Sequence, residues 1–81
     1  MSQPPAARLD ITLDVCPMTF VKTKLELEDL APGDVLEVRL RDGEPLRNVL
    51  RSCEEDGHEI VSRVASEDGI WVLLVRRGAN P

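Results

Sequence analysis

From Leu9 the chain alternates, with Leu9, Ile11 and Leu13 separated by Asp10, Thr12 and Asp14. This is the period-two pattern of a strand with one buried face, and it predicts a first strand with all three apolar side chains on the core side. The pattern breaks at Cys16-Pro17. Proline suits the first position of a helix because the N–H it lacks has no partner there, so a helix is expected over about 17–30. Met18, Val21 and Leu25 lie at helical spacing along it, whereas Leu25-Glu-Leu-Glu28 would also fit an alternating strand; composition and length favour the helix. Ala31-Pro-Gly-Asp34 is a cluster of turn formers that ends it.

Leu36, Val38 and Leu40 then alternate with Glu37, Arg39 and Arg41, giving a second half-buried strand that stops at Asp42-Gly43. Pro45 opens a second helix whose Leu46, Val49, Leu50 and Cys53 form an apolar stripe at i, i+3, i+4 and i+7. Gly57 fits the left-handed position just beyond its end. A third strand over about 58–66 leads through Asp68-Gly69, a dipeptide favoured in tight hairpins, to a fourth at 70–75. That last run is apolar on both faces and belongs in the middle of a sheet, antiparallel to the third strand. The order βαβαββ, with right-handed crossovers, places two helices on one face of a four-stranded mixed sheet. The fold class is α+β, a two-layer α/β sandwich. The other sheet face is left open, and half of the 70–75 side chains should form an apolar patch there.

Eighty-one residues suffice for one core, expected over 8–77, with residues 1–7 and 78–81 as disordered tails. The formal net charge of −5 is the wrong sign for a protein that neutralises phosphates, and Phe20 and Trp71, its only aromatics, cannot make a stacking platform. Nucleic acid is therefore not an expected partner. No apolar run approaches the roughly 20 residues that span a bilayer, so no membrane association is expected. Residues 1–7 do not have the pattern of a secretory or transit segment, and the expected location is the cytoplasm. Thiols stay reduced there, so Cys16 and Cys53 are expected to be free.

Cys16 is the position best suited to chemistry. Where a strand gives way to a helix, backbone N–H groups and the positive end of the helix dipole favour a thiolate over a thiol. Cys53 completes the stripe of the second helix and reads as a core residue. His58, the sole histidine, would have to act alone, and beside Gly57 it reads as a surface or capping residue. Cys16, Cys53 and His58 lack the short paired spacings of zinc sites, no Gly-x-Ser-x-Gly turn presents a serine, and the glycines are too scattered for a phosphate loop. No metal and no cofactor are expected. Lys22 and Lys24 could add positive potential near Cys16, although helical lysines are most often simply solvated.

At Leu13-Asp-Val-Cys-Pro-Met18 the sequence resembles the TusA/SirA-like sulfur-carrier family, whose mark is Cys-Pro-x-Pro at the start of the first helix. Pro32-Gly-Asp-Val-Leu-Glu-Val38 resembles that family's turn and second strand, and Asp42 to Cys53 with Gly57-His58 resembles its second-helix segment. The second motif proline is Thr19 here, no Gly-Leu pair precedes the cysteine, and Gly43 follows Asp42 where proline is usual, which marks a divergent member. The resemblance implies the βαβαββ sandwich and a sulfurtransferase-type carrier, acting with partner proteins, that holds sulfur as a persulfide on Cys16. Pro17, Met18, Thr19 and Lys24 would support that cysteine. Its partners would be a sulfur donor of desulfurase or rhodanese type and an acceptor protein, and the chain is expected to be a monomer. The competing reading is a non-enzymatic interaction or regulatory module that uses the open sheet face.

Overall fold

A computed structural model describes residues 5–13, 18–66 and 69–78. Its elements are β1 (Ala7–Asp10), α1 (Met18–Glu28), β2 (Val35–Arg41), α2 (Glu44–Glu55), β3 (Glu59–Ala65) and β4 (Ile70–Arg76). The sheet order is β1-β2-β4-β3, with β1 parallel to β2 and β4 antiparallel to both of its neighbours. The most apolar strand therefore lies inside the sheet, as its two-sided pattern requires.

One face of the sheet carries the core. Leu36, Val38 and Leu40 of β2 and Leu73 and Val75 of β4 pack with Val49 and Cys53 of α2, Leu27 of α1 and Ile11. Both helices contribute buried side chains to this one cluster, and so both cover the same face. Between α1 and β2, Pro32 and Gly33 occupy the two central positions of a turn closed by the Asp34 N–H donating to the Ala31 carbonyl (3.0 Å). Gly33 has φ 91°, the left-handed conformation a type II turn demands at that position. The Asp34 carboxylate also accepts the Ala31 N–H (3.1 Å). Thus the expected break after α1 has a defined geometry.

Three expectations need correction. The first strand does not continue to Leu13: the Asp10 carboxylate accepts both the N–H and the hydroxyl of Thr12 (2.9 and 2.7 Å), which turns the chain out of the sheet. Ile11 remains buried, but Leu13 is 90% exposed. In α1 the buried face is Thr19, Thr23 and Leu27, whereas Met18 and Leu25 of the expected stripe are exposed. Apolar residues occur all round this helix, so packing against α2 and the sheet, and not periodicity, selects its inner face. On the open sheet face, Ile70, Val72 and Leu74 are half-buried, not exposed.

That open face carries ion pairs beside its apolar positions: Arg8 with Glu37 (3.7 Å), Arg39 with Asp10 (4.0 Å) and Arg76 with Glu59 (2.6 Å). Among the described residues, the exposed large apolar side chains of the sheet are Val61 and Val64, both on edge strand β3. The pairing of β3 with β4 shifts register between Ile60 and Ser62, leaving Val61 unpaired in a bulge. A bulge breaks the flat edge that a further strand could extend. Ala7 opens β1, and the Gly78 N–H donates to His58 Nδ1 (2.9 Å). The hairpin residue Asp68 lies outside the described residues.

Candidate functional site

Because β1 and β2 are parallel and each is followed by a helix, α1 and α2 both start from the same end of the sheet. Positive ends of helix dipoles are thereby collected at one end of the molecule, where the β1–α1 connection also lies. The first turn of α2 adds no side-chain cap hydrogen bond, its N-cap being Gly43.

The connection is anchored on its strand side. Besides the two bonds from Thr12 to Asp10, the Arg41 Nε donates to the Thr12 carbonyl (2.8 Å), joining the end of β2 to the segment leaving β1. Hydrogen bonds from the Thr12 side chain and backbone hold the Asp10 carboxyl below its usual value, with Arg39 adding to the effect. Asp10 and Arg41 were not singled out from the sequence. The Asp-x-Thr spacing was a legible signal for the turn, whereas the Arg41 contact spans 29 residues and is decided by strand pairing.

On its helix side the connection meets Met18, which opens α1 and is 43% exposed. Cys16 and Pro17 lie outside the described residues, between these two anchors in the sequence. Leu13 and Met18, which flank them, are thus both available to a visiting surface. Thr19 is fully buried, and its hydroxyl has no hydrogen-bond partner among the described residues. An unpaired buried hydroxyl costs about 1–3 kcal/mol. One turn later the Thr23 hydroxyl is satisfied by the Thr19 carbonyl (2.8 Å). Lys24 points across to α2, its Nζ 3.9 Å from the Asp56 carboxylate.

The remaining candidates are drawn into the structure. Cys53 is 2% exposed, and burial, reinforced by Asp56 and Glu54, pushes its thiol up to about 12. A thiol so held stays protonated and is a poor nucleophile. His58 is half-buried and accepts the Gly78 N–H through Nδ1 (2.9 Å). Burial lowers its pKa, Asp56 works against that shift, and Arg77 adds to it. Among the described residues no three His, Cys, Asp or Glu side chains gather as a metal site requires, and no helix is long and apolar enough to cross a membrane.

A sequence profile of the family described as sulfurtransferase TusA matches residues 7–77. The chain belongs to this TusA family. It is 39% identical over 69 residues to a candidate sulfur carrier protein of Archaeoglobus fulgidus, covering 85% of this chain and 78% of that one. To the sulfur carrier protein TusA of Pseudomonas paraeruginosa it is 32% identical over 80 residues, covering 99% of this chain and all of the relative (100%). Among solved structures, the SirA-like protein of Desulfitobacterium hafniense superposes with a TM-score of 0.79 at 20% identity, over 89% of this chain and 97% of that one. The TusA fold, two helices on one face of a four-stranded mixed sheet, is thus shared well beyond recognisable sequence identity. Membership in this family makes the chain a protein of the sulfur-carrier class.

Proposed function

We propose that this protein carries sulfane sulfur as a persulfide on Cys16, taking it from a donor protein of desulfurase or rhodanese type and passing it to an acceptor protein. The observation that carries the reading is the family match over 7–77 in a sequence with two cysteines, of which Cys53 is buried and held protonated. That leaves Cys16, next to Pro17 in the segment that leads into α1, as the thiol for transfer.

In the loading step the Cys16 thiolate attacks the outer sulfur of a donor persulfide. A new S–S bond forms, the old one breaks, and the donor cysteine leaves as a thiolate. Delivery is the same displacement in reverse: an acceptor thiolate attacks the outer sulfur, and Cys16 leaves as the thiolate. No oxidant or reductant is consumed. Positive potential at a helix start favours both the attacking and the departing anion. Met18 and Leu13 offer apolar contact to the docking proteins, and Lys24 braces α1 through Asp56. The cytoplasm, where thiols are kept reduced, is the compartment this chemistry needs.

Incubation with a cysteine desulfurase and cysteine, followed by mass spectrometry of the intact protein, tests the proposal. Wild type should gain one sulfur atom that reductant removes, Cys16→Ser should gain none, and Cys53→Ala should load as wild type does. A wild type that takes up no sulfur, or a Cys16→Ser variant that still does, overturns it.

A further inference from the structure

A helix dipole favours bases in the last turn, yet neither α1 nor α2 has one there. Glu26 and Glu28 close α1, Glu54 and Glu55 close α2, and Asp56 is the C-cap of α2. These acids sit against the negative ends of the dipoles, at a cost to the helices. The bases lie earlier, Lys22 in the second turn of α1 and Arg47 and Arg51 in the first two turns of α2, with Glu44 as the acid among them. Lys24 marks the boundary, its Nζ reaching the Asp56 carboxylate. Because both helices start from the same end of the sheet, the two patterns coincide. The helical layer is basic over its starting half and acidic over its finishing half, in a chain with a net charge of −5. Apolar side chains are set in the basic half and at its border: Met18 and Leu25 of α1 are exposed. Between the helices runs a groove of about 340 Å³, lined by half-buried Phe20 of α1 and by Asn48, Arg51, Ser52 and Glu55 of α2. Helix stability accounts for neither the placing of the charges nor the exposed apolar groups.

We infer that the starting half of the helical layer is the docking face for the sulfur-donor protein, and that the donor meets it with carboxylates set around an apolar patch. The inference rests on the carrier reading and names the surface chemistry of one partner. Opposite charge draws the donor to Lys22, Arg47 and Arg51, and the acidic half turns it away, so the encounter is oriented before contact is made. Met18, Leu25 and the groove beside Phe20 then supply apolar area in the contact. Aliphatic side chains among the bases suit a protein surface better than a nucleic acid, which would be gripped by bases and stacking rings.

The test is the initial rate of sulfur uptake by the full chain from a cysteine desulfurase and cysteine, read by intact mass at about 20 mM and about 500 mM salt. Wild type is compared with Arg47→Gln/Arg51→Gln and with Glu54→Gln/Glu55→Gln. All four side chains are exposed, so both variants should keep the fold, which circular dichroism checks. Wild type should load roughly tenfold more slowly at the higher salt. At the lower salt the arginine variant should be slower by a similar factor, through KM and not kcat, and should lose most of its salt dependence. The glutamate variant should load at least as fast as wild type. An arginine variant that matches wild type, a glutamate variant slowed as much as the arginine variant, or a wild-type rate indifferent to salt overturns the inference and leaves the carrier reading standing. Retention of a single-stranded RNA by wild type but not by the arginine variant would assign this face to nucleic acid and overturn it too. A wild type that takes up no sulfur at either salt overturns the carrier reading, and the donor face with it.

Discussion

His58 accepts the Gly78 N–H through Nδ1, so this nitrogen has to be unprotonated in the folded state. Burial favours the same neutral form and holds the folded pKa below the ordinary 6.5, with Asp56 opposing and Arg77 assisting. The unfolded chain therefore takes up the proton first as pH falls. Stability from this residue is complete above 6.5 and is lost on acidification through 6.5 toward the lower folded value. Urea midpoints measured between about pH 7.5 and about pH 5.5 should fall in wild type. In His58→Asn, whose amide oxygen can accept the same N–H but does not titrate, that part of the fall should disappear; an unchanged pH slope would refute it. A histidine beside a helix-ending glycine reads as a surface or capping residue, but its side chain is bonded to Gly78, 20 residues away, a partner that could not be read from the chain.

At the scale of elements, α2 and α1 contrast. The stripe of α2 was legible because its apolar residues fall on one side, and Leu46, Val49 and Cys53 are buried as that spacing implies. In α1, Val21 is half-buried, Leu25 is 57% exposed and Leu27 is 1% exposed, and two of its three buried positions are threonines. A helix with apolar residues on several sides does not specify its own rotation, and neighbouring elements choose for it. Leu27→Ala should lower stability by about 2–4 kcal/mol in urea denaturation, since it opens a cavity in the shared core. Leu25→Ala should change it by less than about 0.5 kcal/mol. The reverse order of effects would mean that α1 presents its other face. β1 illustrates a different limit: alternation continues to Leu13, but the Asp10 carboxylate captures Thr12 first, and a local polar contact ends a strand that hydrophobicity alone would extend.

Across the whole molecule, the two ends of the sheet have different tasks. The end where both helices begin holds the β1–α1 connection and exposes Leu13 and Met18. The opposite end is closed by Arg77, which follows β4. Its Nε donates to the Leu27 carbonyl (2.7 Å), its backbone N–H to the Asp34 carbonyl (2.8 Å), and its own carbonyl accepts the Gly33 N–H (2.9 Å). Gly78 then passes so near Gly57 that a Cβ there would run into the Gly57 carbonyl, and the residue is glycine for that reason. Replacing Arg77 with Met keeps the aliphatic stem and both backbone bonds but removes the guanidinium. It should destabilise the fold by about 1–3 kcal/mol, read as a lower urea midpoint, because a part-buried helix-end carbonyl loses a charged donor. Sulfur loading should persist below the melting transition, since the bond lost is at the far end from the β1–α1 connection. A loss of loading with the fold intact would show that the two ends are coupled.

By itself the sequence determined the order of elements, the interior place of β4, the core role of Cys53 and the family to which the Cys-Pro segment belongs. Those features depend on spacing between near neighbours, which a strand or helix converts directly into a face. Only the tertiary structure decided which side of α1 is buried, that Arg41 grips Thr12, and that His58 and Arg77 tie the chain's end to β3 and α1. Each of these joins residues remote in the chain, and a side chain's environment at such distances is set by which elements pack together, a property of the assembled core and not of any local pattern.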